Sequence, residues 1–433
     1  MNKLLKTQSA PRIIAGGFAL VIFIGSLLLM LPCSIQPGTH LDYIDALYTS
    51  ASAVCVTGLT VVDAGDTFTA LGQFFLAALI QIGGLGVTSI SAGVILAMGR
   101  RVNLKGRMLI RESMNLDADR GLIGFVYTVF KATLLIELIG AALSFIVFIQ
   151  DYSLFRAIGV SLFHSVASFN NAGFDILGGG QSMVPYTDNI FLNIITCVLI
   201  FFGGIGFLVI QELWQKKCQW KKLSMHTKVV LSVSLALIII GTLLIKLTEP
   251  VSWLCALFHS VSTRTAGFAS RPIGDFGAPA LLVMIVLMFI GACAGSTGGG
   301  IKVSRILILC KTVRKELHIF LHPNAVKKIK MDGKAIPHEV VRSTNIFFIV
   351  YMLIFASSIF LIAFDDFNLI TNFTAVAATF NNIGPGLELV GPTGNFGMFS
   401  WFSKLILTFD MLAGRLEIFP LLILFVRDTW KKF

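Results

Sequence analysis

Four short polar stretches of the chain end on a glycine, at Gly58, Gly173, Gly267 and Gly384, after a lead-in of small or hydroxylated residues. Each lies between apolar stretches long enough to cross a membrane. Lipid cannot satisfy the backbone carbonyl groups of such a stretch, so these groups must face protein or water. Carbonyl oxygens can replace the hydration shell of K⁺ without a charge that would trap the ion, and glycine tolerates the dihedral angles that this requires. The pattern therefore predicts a pore lined by carbonyl rings.

A simpler interpretation of one glycine before a membrane span is a plain turn. Four glycines with matched lead-ins favour the pore over four unrelated turns. The segment before each glycine is predicted to be a short helix whose carbonyl end, with its partial negative charge, points towards the ion path.

Two further features lie in the apolar spans that follow. The segment Gly291–Gly300 contains five glycines with Ser296 and Thr297, and it predicts an unwound backbone in the pore beneath the third stretch. The alternative is a tightly packed glycine-rich helix contact. Arg415 lies inside the last apolar span, where an Arg faces a partner or a water-filled cavity. An ion pair with Asp410 or Glu417 is the structural alternative.

The elements that position these residues recur four times as helix, re-entrant loop and helix. This order predicts four repeats, at 1–100, 101–216, 217–320 and 321–433, in one all-α polytopic membrane domain. Every repeat is predicted to start and end on the same side, so the repeats are parallel. Eight transmembrane helices and four pore helices would surround one pseudo-fourfold axis, whereas many secondary transporters use inverted repeats. The predicted spans are Ile13–Leu31, Leu71–Met98, Phe125–Ile149, Ile190–Leu213, Lys228–Leu247, a span from Pro279, Arg342–Phe364 and 399–426.

Composition and charge agree with this reading. The 433 residues are 55% hydrophobic and 13% charged, with a mean hydropathy of +0.84, which is typical of a multi-pass membrane protein. The net charge of +11 does not indicate nucleic acid, because 27 of the 34 Lys and Arg lie in five segments between the repeats or at the termini. The positive-inside rule places both termini and these segments in the cytoplasm of a plasma-membrane protein. The opposite loops are acidic and would concentrate cations at the mouth. The five segments are 1–12, 98–122, 214–228, 302–342 and 427–433.

Other chemistries find little support. The seven Cys are scattered, without metal-ligand spacing, and are interpreted as reduced small hydrophobic residues. No nucleophile–base pair, Walker loop or dinucleotide motif appears, so we expect no enzyme activity. His164 and His259 are interpreted as packing or hydrogen-bonding residues, and Arg264 as a structural brace behind its glycine. Ile13–Leu31 is predicted to be a retained helix and not a signal peptide.

Taken together, the four glycine-ended stretches resemble the degenerate filter sequences of the Ktr/Trk/HKT superfamily of potassium transporters, most closely the Ktr membrane subunit. The resemblance covers essentially the whole chain. The Trk branch typically carries two extra N-terminal spans, and sodium-permeable plant relatives often carry Ser at the first filter position, where Gly58 here favours K⁺. The matching motifs are Val56-Thr-Gly-Leu-Thr60, Phe169-Asn-Asn-Ala-Gly-Phe174, Thr263-Arg-Thr-Ala-Gly-Phe268 and Phe380-Asn-Asn-Ile-Gly-Pro-Gly386.

The resemblance implies K⁺ uptake through a channel-like filter, with K⁺ held at the filter carbonyls and Na⁺ as a coupling or activating ion. An alternating-access secondary cation transporter is the alternative. The glycine-rich segment would be an intramembrane gating loop, with Arg415 beside it as a partner and electrostatic barrier. The implied partners are a second copy in a homodimer and a cytosolic, nucleotide-binding regulatory ring of the KtrA/KtrC type. The predicted filter residues are Val54, Cys55, Val56, Thr57, Gly58, Asn170, Asn171, Ala172, Gly173, Arg264, Thr265, Ala266, Gly267, Asn381, Asn382, Ile383 and Gly384. The predicted gate residues are Gly291, Gly295, Ser296, Thr297, Gly298, Gly299, Gly300 and Arg415.

Overall fold

Long apolar helices alternate with short buried ones along the chain. The computed structural model describes residues 10–97, 122–217, 219–324, 327–331, 334–384, 386–391 and 394–422. Within these ranges the only strands form a small antiparallel hairpin, and all other regular structure is helical. Three of the predicted basic segments (1–12, 98–122 and 427–433), Cys218 and the end of the span predicted at 399–426 lie wholly or largely outside the described residues.

Four helices in the described ranges are long and apolar enough to cross a membrane, and each opens one predicted repeat. Their lengths, 20 to 27 residues, suit a hydrocarbon core of about 30 Å. Leu, Ile and Phe side chains remain exposed along them, as expected for helix faces that contact lipid. They are α1 (Ala10–Leu29), α6 (Leu122–Phe148), α10 (Met225–Thr248) and α14 (His338–Ile362).

A short helix follows each long one, and its C-terminal part is buried inside the protein. Ala, Ser and Thr dominate its buried positions, and such small side chains let neighbouring helices approach closely. Polar N-caps begin two of these helices: Ser252 accepts a hydrogen bond from the Cys255 amide, and Asn368 accepts one from the Thr371 amide. The four short helices are α2 (Tyr43–Val54), α7 (Leu154–Phe169), α11 (Trp253–Ser262) and α15 (Leu369–Phe380).

The same hydrogen bond fixes three of the short helices to the long helix before them. Its donor is a buried serine hydroxyl and its acceptor is a carbonyl of the long helix. The pairs are Ser50 Oγ to Ile22 O at 2.7 Å, Ser165 Oγ to Glu137 O at 2.7 Å and Ser260 Oγ to Ile238 O at 2.9 Å. Three residues after each acceptor stands a glycine, Gly25, Gly140 or Gly241, whose missing side chain leaves room for that serine and for a Leu of the second span.

The second spans are broken, which corrects the prediction of continuous helices. Gly86 and Gly206 end the first halves with φ of 83° and 95°, and the two halves at Gly206 meet at 97°. The third span unwinds over residues 290–302, as predicted for the glycine-rich segment. The fourth ends at Glu417, which is left-handed with φ of 62°. The halves are α4 (Ala70–Leu85) and α5 (Val87–Ala97), α8 (Ile190–Ile205) and α9 (Phe207–Gln215), α12 (Ala278–Phe289) and α13 (Val303–Leu321), and α16 (Trp401–Leu416) and α17 (Phe419–Leu422).

The remaining elements are short. Helix α3 (Ala64–Thr67) follows the first glycine stretch on the acidic side. The hairpin pairs β1 (Lys330–Met331) with β2 (Lys334–Ala335) near the start of the predicted fourth repeat, in the basic segment 302–342.

Candidate functional site

Each short helix ends in the same tight turn, which leads into its glycine. In the first, second and fourth turns, the amide of the residue before the glycine donates to the carbonyl five residues earlier. In the third turn, the amide of Gly267 itself donates to the carbonyl five residues earlier. We call the four segments Val54–Gly58, Asn170–Gly173, Arg264–Gly267 and Asn381–Gly384 the glycine strips. The bonds are Thr57 N to Ser52 O (2.8 Å), Ala172 N to Ala167 O (2.8 Å), Gly267 N to Ser262 O (3.2 Å) and Ile383 N to Ala378 O (2.9 Å).

The backbone of the glycine strips alternates in handedness. The residue two places before each glycine has a positive φ: 57° at Val56, 57° at Asn171, 89° at Thr265 and 49° at Asn382. The glycine itself is also left-handed in the first three strips, with φ of 81°, 68° and 85°. The residue between them has no positive φ, so consecutive peptide carbonyls turn towards the same side. This is the conformation that a row of inward carbonyls requires. The fourth strip departs from it, because Gly384 is not left-handed.

The glycine strips meet one another at their glycines. A Cβ on Gly58 would clash with the carbonyl of Ala172, one on Gly173 with the carbonyl of Ala266, and one on Gly384 with the backbone of Gly267. The four predicted strips are thus brought to one place, in chain order, at distances that only glycine permits. Val54 is the last residue of α2, and its carbonyl instead faces Gly83 of the second span.

A cavity of about 100 Å³ lies on the acidic side of the strips. Gly58, Gly173 and Gly267 line it together with the carboxylates of Asp63 and Asp175. The predicted cation path therefore opens into a space with negative side chains, which raise the local cation concentration.

Two carboxylates tie the loop that follows the second strip over this cavity. Asp63 Oδ2 accepts a hydrogen bond from the Gly180 amide at 2.5 Å, and Asp66 Oδ2 accepts one from the Gly179 amide at 2.9 Å. Asp175, in the same loop, is partly buried, and burial together with the neighbouring Asp63 charge raises the pKa of its carboxyl to about 7.

Side chains three places before the glycines brace the strips from behind. Asn170 donates to Gln81 Oε1 at 2.8 Å and to Glu137 Oε1 at 3.0 Å, and Asn381 Oδ1 accepts from the Tyr351 hydroxyl at 2.7 Å. Arg264 points behind its strip, as predicted, and its guanidinium lies 3.4 Å from the carbonyls of Ser234 and Gly291.

Neighbouring strips are also joined directly. Asn382 of the fourth strip donates to Thr57 Oγ1 of the first at 3.1 Å and to Met411 O at 2.8 Å. The Asn171 amide and the Thr265 hydroxyl link the second and third strips at 3.2 Å. These bonds join the strips in two pairs, and the contacts between the glycines connect the pairs.

The glycine-rich segment lies directly beneath the strips. Its Gly298 packs against Thr265 and its Gly299 against Asn382, again at distances that exclude a side chain. The segment is hydrogen-bonded to the break at Gly206, in the second span of the second repeat. Phe207 N donates to Gly295 O at 2.9 Å, and Cys293 N donates to Gly204 O at 3.1 Å. These hydrogen bonds to protein satisfy part of the unwound backbone.

Arg415 holds the glycine-rich segment in this place. Its guanidinium donates to the carbonyl of Thr297 and to those of Gly83 at 2.5 Å and Gly84 at 3.0 Å. Its hydrogen bonds therefore go to backbone carbonyls, and not to Asp410 or Glu417 as the alternative interpretation required. Glu417 instead pairs with Arg305 of α13 at 2.5 Å.

Several residues of this region were missed by sequence reasoning. Glu137 and Gln81 carry a detectable signal, because an acidic or amide side chain inside an apolar span is costly and needs a partner. Lys302 follows the glycine-rich segment and donates to Gly298 O at 2.8 Å. The sequence predicts it only as the first residue of the basic segment 302–342. His164 contacts Thr196 Oγ1 at 2.9 Å, and in the described ranges no three His, Cys, Asp or Glu residues form a group that could hold a metal.

Comparisons with known proteins agree with this arrangement. The TrkH family model, described as a cation transport protein, matches residues 12–432. The chain therefore belongs to the TrkH family of cation transport proteins. This match confirms the predicted resemblance to the Ktr and Trk transporters. It also confirms the prediction of a transporter and not an enzyme, since the family is one of cation transport proteins.

Individual relatives point the same way. The chain is 35% identical over 372 residues to the Ktr system potassium uptake protein B of Bacillus subtilis (strain 168), with 81% of this chain and 80% of the relative covered. It is 35% identical over 321 residues to the potassium/sodium uptake protein NtpJ of Enterococcus hirae, with 71% and 70% covered. The crystal structure of the potassium transporter TrkH from Vibrio parahaemolyticus matches with a TM-score of 0.77 and 27% identity, over 96% of this chain and 86% of that one. The protein is thus an all-helical, multi-pass membrane transporter.

Proposed function

We propose that the protein takes up K⁺ across the plasma membrane through a selectivity filter formed by the four glycine strips. The observation that carries this proposal is the alternating handedness of the backbone in the first three strips, which turns consecutive carbonyls towards one side. Rings of backbone carbonyls replace the hydration shell of K⁺. Two of the compared relatives are named potassium uptake protein and potassium transporter.

The four repeats are arranged around one axis along the membrane normal, with each broken second span counted as one of eight transmembrane helices. The recurring serine-to-carbonyl bond, the recurring turn and the four strips that meet at their glycines support this arrangement. Parallel repeats argue against alternating access between inverted halves. The acidic cavity is extracellular and both termini are cytoplasmic.

Residues 291–300 form the gate. The segment lies beneath the strips, and Arg415 both fixes its backbone and adds a positive charge to the path that a cation must cross. Release of the segment would open the path without a movement of the filter.

The partners are those of a Ktr system: a second copy in a homodimer and a cytosolic, nucleotide-binding regulatory ring. The basic segment 302–342 is the surface of this chain that suits such a ring. Na⁺ is a coupling or activating ion, and the relative named potassium/sodium uptake protein supports that role.

Uptake of K⁺ and Na⁺ by purified protein in liposomes tests the proposal, with wild type compared with Gly58→Ser. We expect a K⁺-selective wild type and a Na⁺ leak in the variant, because a side chain at φ of 81° and against the Ala172 carbonyl must displace the strip. Gly159→Ser is the matched control, since nothing lies within 4 Å of a Cβ there. Equal selectivity in all three proteins, or no cation flux in the wild type, would refute the filter.

A further inference from the structure

The fourth repeat replaces an apolar contact of the other three with a buried carboxyl group. In each of the first three repeats, a glycine of the long helix contacts a Leu of the second span, and this Leu lies four residues before a glycine of the same span. The pairs are Gly25 with Leu79, Gly140 with Leu199 and Gly241 with Leu287. In the fourth repeat the corresponding pair is Ser358 and Asp410, four residues before Gly414. Ser358 Oγ donates to Asp410 Oδ1 at 2.8 Å.

Asp410 is fully buried and its second oxygen has no hydrogen-bond partner. Within the described ranges no Lys or Arg forms an ion pair with it. The nearest candidates on its own helix are engaged elsewhere: Lys404 pairs with Asp45 at 2.6 Å, and Arg415 binds backbone carbonyls. A carboxylate at membrane depth without a positive partner is costly, so its charge is offset either by a proton or by a bound cation.

A second buried oxygen lacks a partner in the same neighbourhood. Tyr48 of α2 is fully buried, its hydroxyl has no hydrogen bond, and α2 packs against α16, the helix of Asp410. Ser358, Asp410 and Tyr48 come from α14, α16 and α2, and α16 packs against both of the other helices.

We infer that Asp410, Ser358 and Tyr48 bind a Na⁺ ion behind the filter, outside the ion path. Carboxylate and hydroxyl oxygens are hard ligands suited to alkali and alkaline-earth cations. Ligands of high field strength favour the smaller alkali ion, whereas the neutral carbonyls of the strips suit K⁺. The inference rests on the proposed function for the identity of the transported ion, and it gives the coupling or activating Na⁺ a defined position.

The site is placed to act on the gate through the helix that carries it. Arg415 lies five residues after Asp410 on α16 and binds the carbonyl of Thr297. An ion that joins α16 to α2 and α14 fixes the height of Arg415 relative to the glycine-rich segment. Occupancy of the site therefore sets the rate of K⁺ uptake without Na⁺ being transported.

Thermal unfolding of the purified, detergent-solubilised protein tests the site directly. At constant KCl and ionic strength, replacement of choline chloride by NaCl raises the melting temperature of the wild type in a saturable way, because a ligand that binds only the folded state stabilises it. Asp410→Asn keeps the shape and an acceptor for Ser358 and abolishes this rise. Asp45→Asn, which removes the paired carboxylate of the same interface, retains it.

Two milder variants keep the inference testable if Asp410→Asn does not fold. Ser358→Ala and Tyr48→Phe each remove one oxygen, and each raises the Na⁺ concentration for half-maximal stabilisation by roughly tenfold. An equal Na⁺ shift in wild type and Asp410→Asn overturns the inference. So does a wild type that ignores Na⁺ but gains stability on acidification through Asp410, since the neutralising ligand is then a proton. A protein that binds Na⁺ in this assay but conducts no K⁺ in liposomes refutes the proposed function and leaves the site standing.

Discussion

At the residue scale, the left-handed position two places before the glycine of each strip is occupied by Val, Asn, Thr and Asn in turn. Asn171 and Asn382 adopt a positive φ more readily than most residues, whereas Val56 is β-branched and strained there. The strain, on the order of 1–2 kcal/mol, is tolerated because the strip is fixed by its neighbours on both sides. The glycines could be predicted from their matched lead-ins. The handedness at Val56 could not, because the residue type argues against it.

Asp175 should make K⁺ uptake depend on the external pH. The pKa of its carboxyl is raised to about 7 by burial and the Asp63 charge, so the group is negative above that pH and neutral below it. At low K⁺, where recruitment limits the rate, uptake in liposomes should fall as the external pH drops through 7. Asp175→Asn should be slower at high pH and lack this step.

Asp188→Asn is the control for that experiment, because Asp188 lies in the same loop but does not line the cavity. It should keep the wild-type pH profile. An unchanged profile in Asp175→Asn would assign the titration to another group.

At the scale of elements, the long helices were predictable and the breaks in the second spans were only partly so. Apolar length and flanking charge place the start and end of α6 and α10 within a few residues of the predicted spans. The break after α12 was predicted because five glycines interrupt the apolar run. The breaks at Gly86 and Gly206 were missed, since a glycine inside an apolar helix is equally compatible with close packing. Only the contact between Gly206 and the glycine-rich segment distinguishes the two.

Arg415 links these broken elements, and its removal is a prediction at this scale. Arg415→Ala should raise K⁺ uptake severalfold, because the glycine-rich segment loses its anchor at Thr297 and the path loses a positive charge. Initial rates in liposomes measure the effect.

Two further variants separate the anchor from the charge. Arg415→Lys keeps the charge but cannot reach all three carbonyls, so an intermediate rate is expected. Arg156→Ala, which removes an Arg stacked on Tyr152 outside this region, should leave the rate unchanged. Wild-type uptake by Arg415→Ala would refute its role in the gate.

At the scale of the whole molecule, the first and fourth repeats are joined across almost the full length of the chain. Lys404 Nζ and Asp45 Oδ1 are 2.6 Å apart although the residues are 359 positions apart, and the Phe396 ring stacks on Tyr48 at 5.7 Å. Such partners cannot be predicted from periodicity or composition, because neither carries information about contacts between distant segments. The assignment of an acidic and a basic side needs no such contacts, since charge sign along the chain is a local property, and it stays a prediction.

Removal of either Lys404 or Asp45 alone should lower the free energy of unfolding more than removal of both. Lys404→Met leaves the Asp45 carboxylate mostly buried and unpaired, and it should destabilise the protein by on the order of 3 kcal/mol. The double variant Lys404→Met with Asp45→Leu should recover most of that loss. Melting temperatures in detergent check both, and an additive double variant would show that the pair does not interact.

The unequal fourth strip has a consequence for how this filter can change over generations. In a filter assembled from identical subunits, every mutation appears four times around the axis. Here each wall is a separate stretch of one gene, so a mutation alters a single wall and leaves three intact. Gly384 lies outside the left-handed region that Gly58, Gly173 and Gly267 share. Selection can therefore adjust ion preference in quarter steps, each with a mild phenotype, along a route closed to a symmetric tetramer.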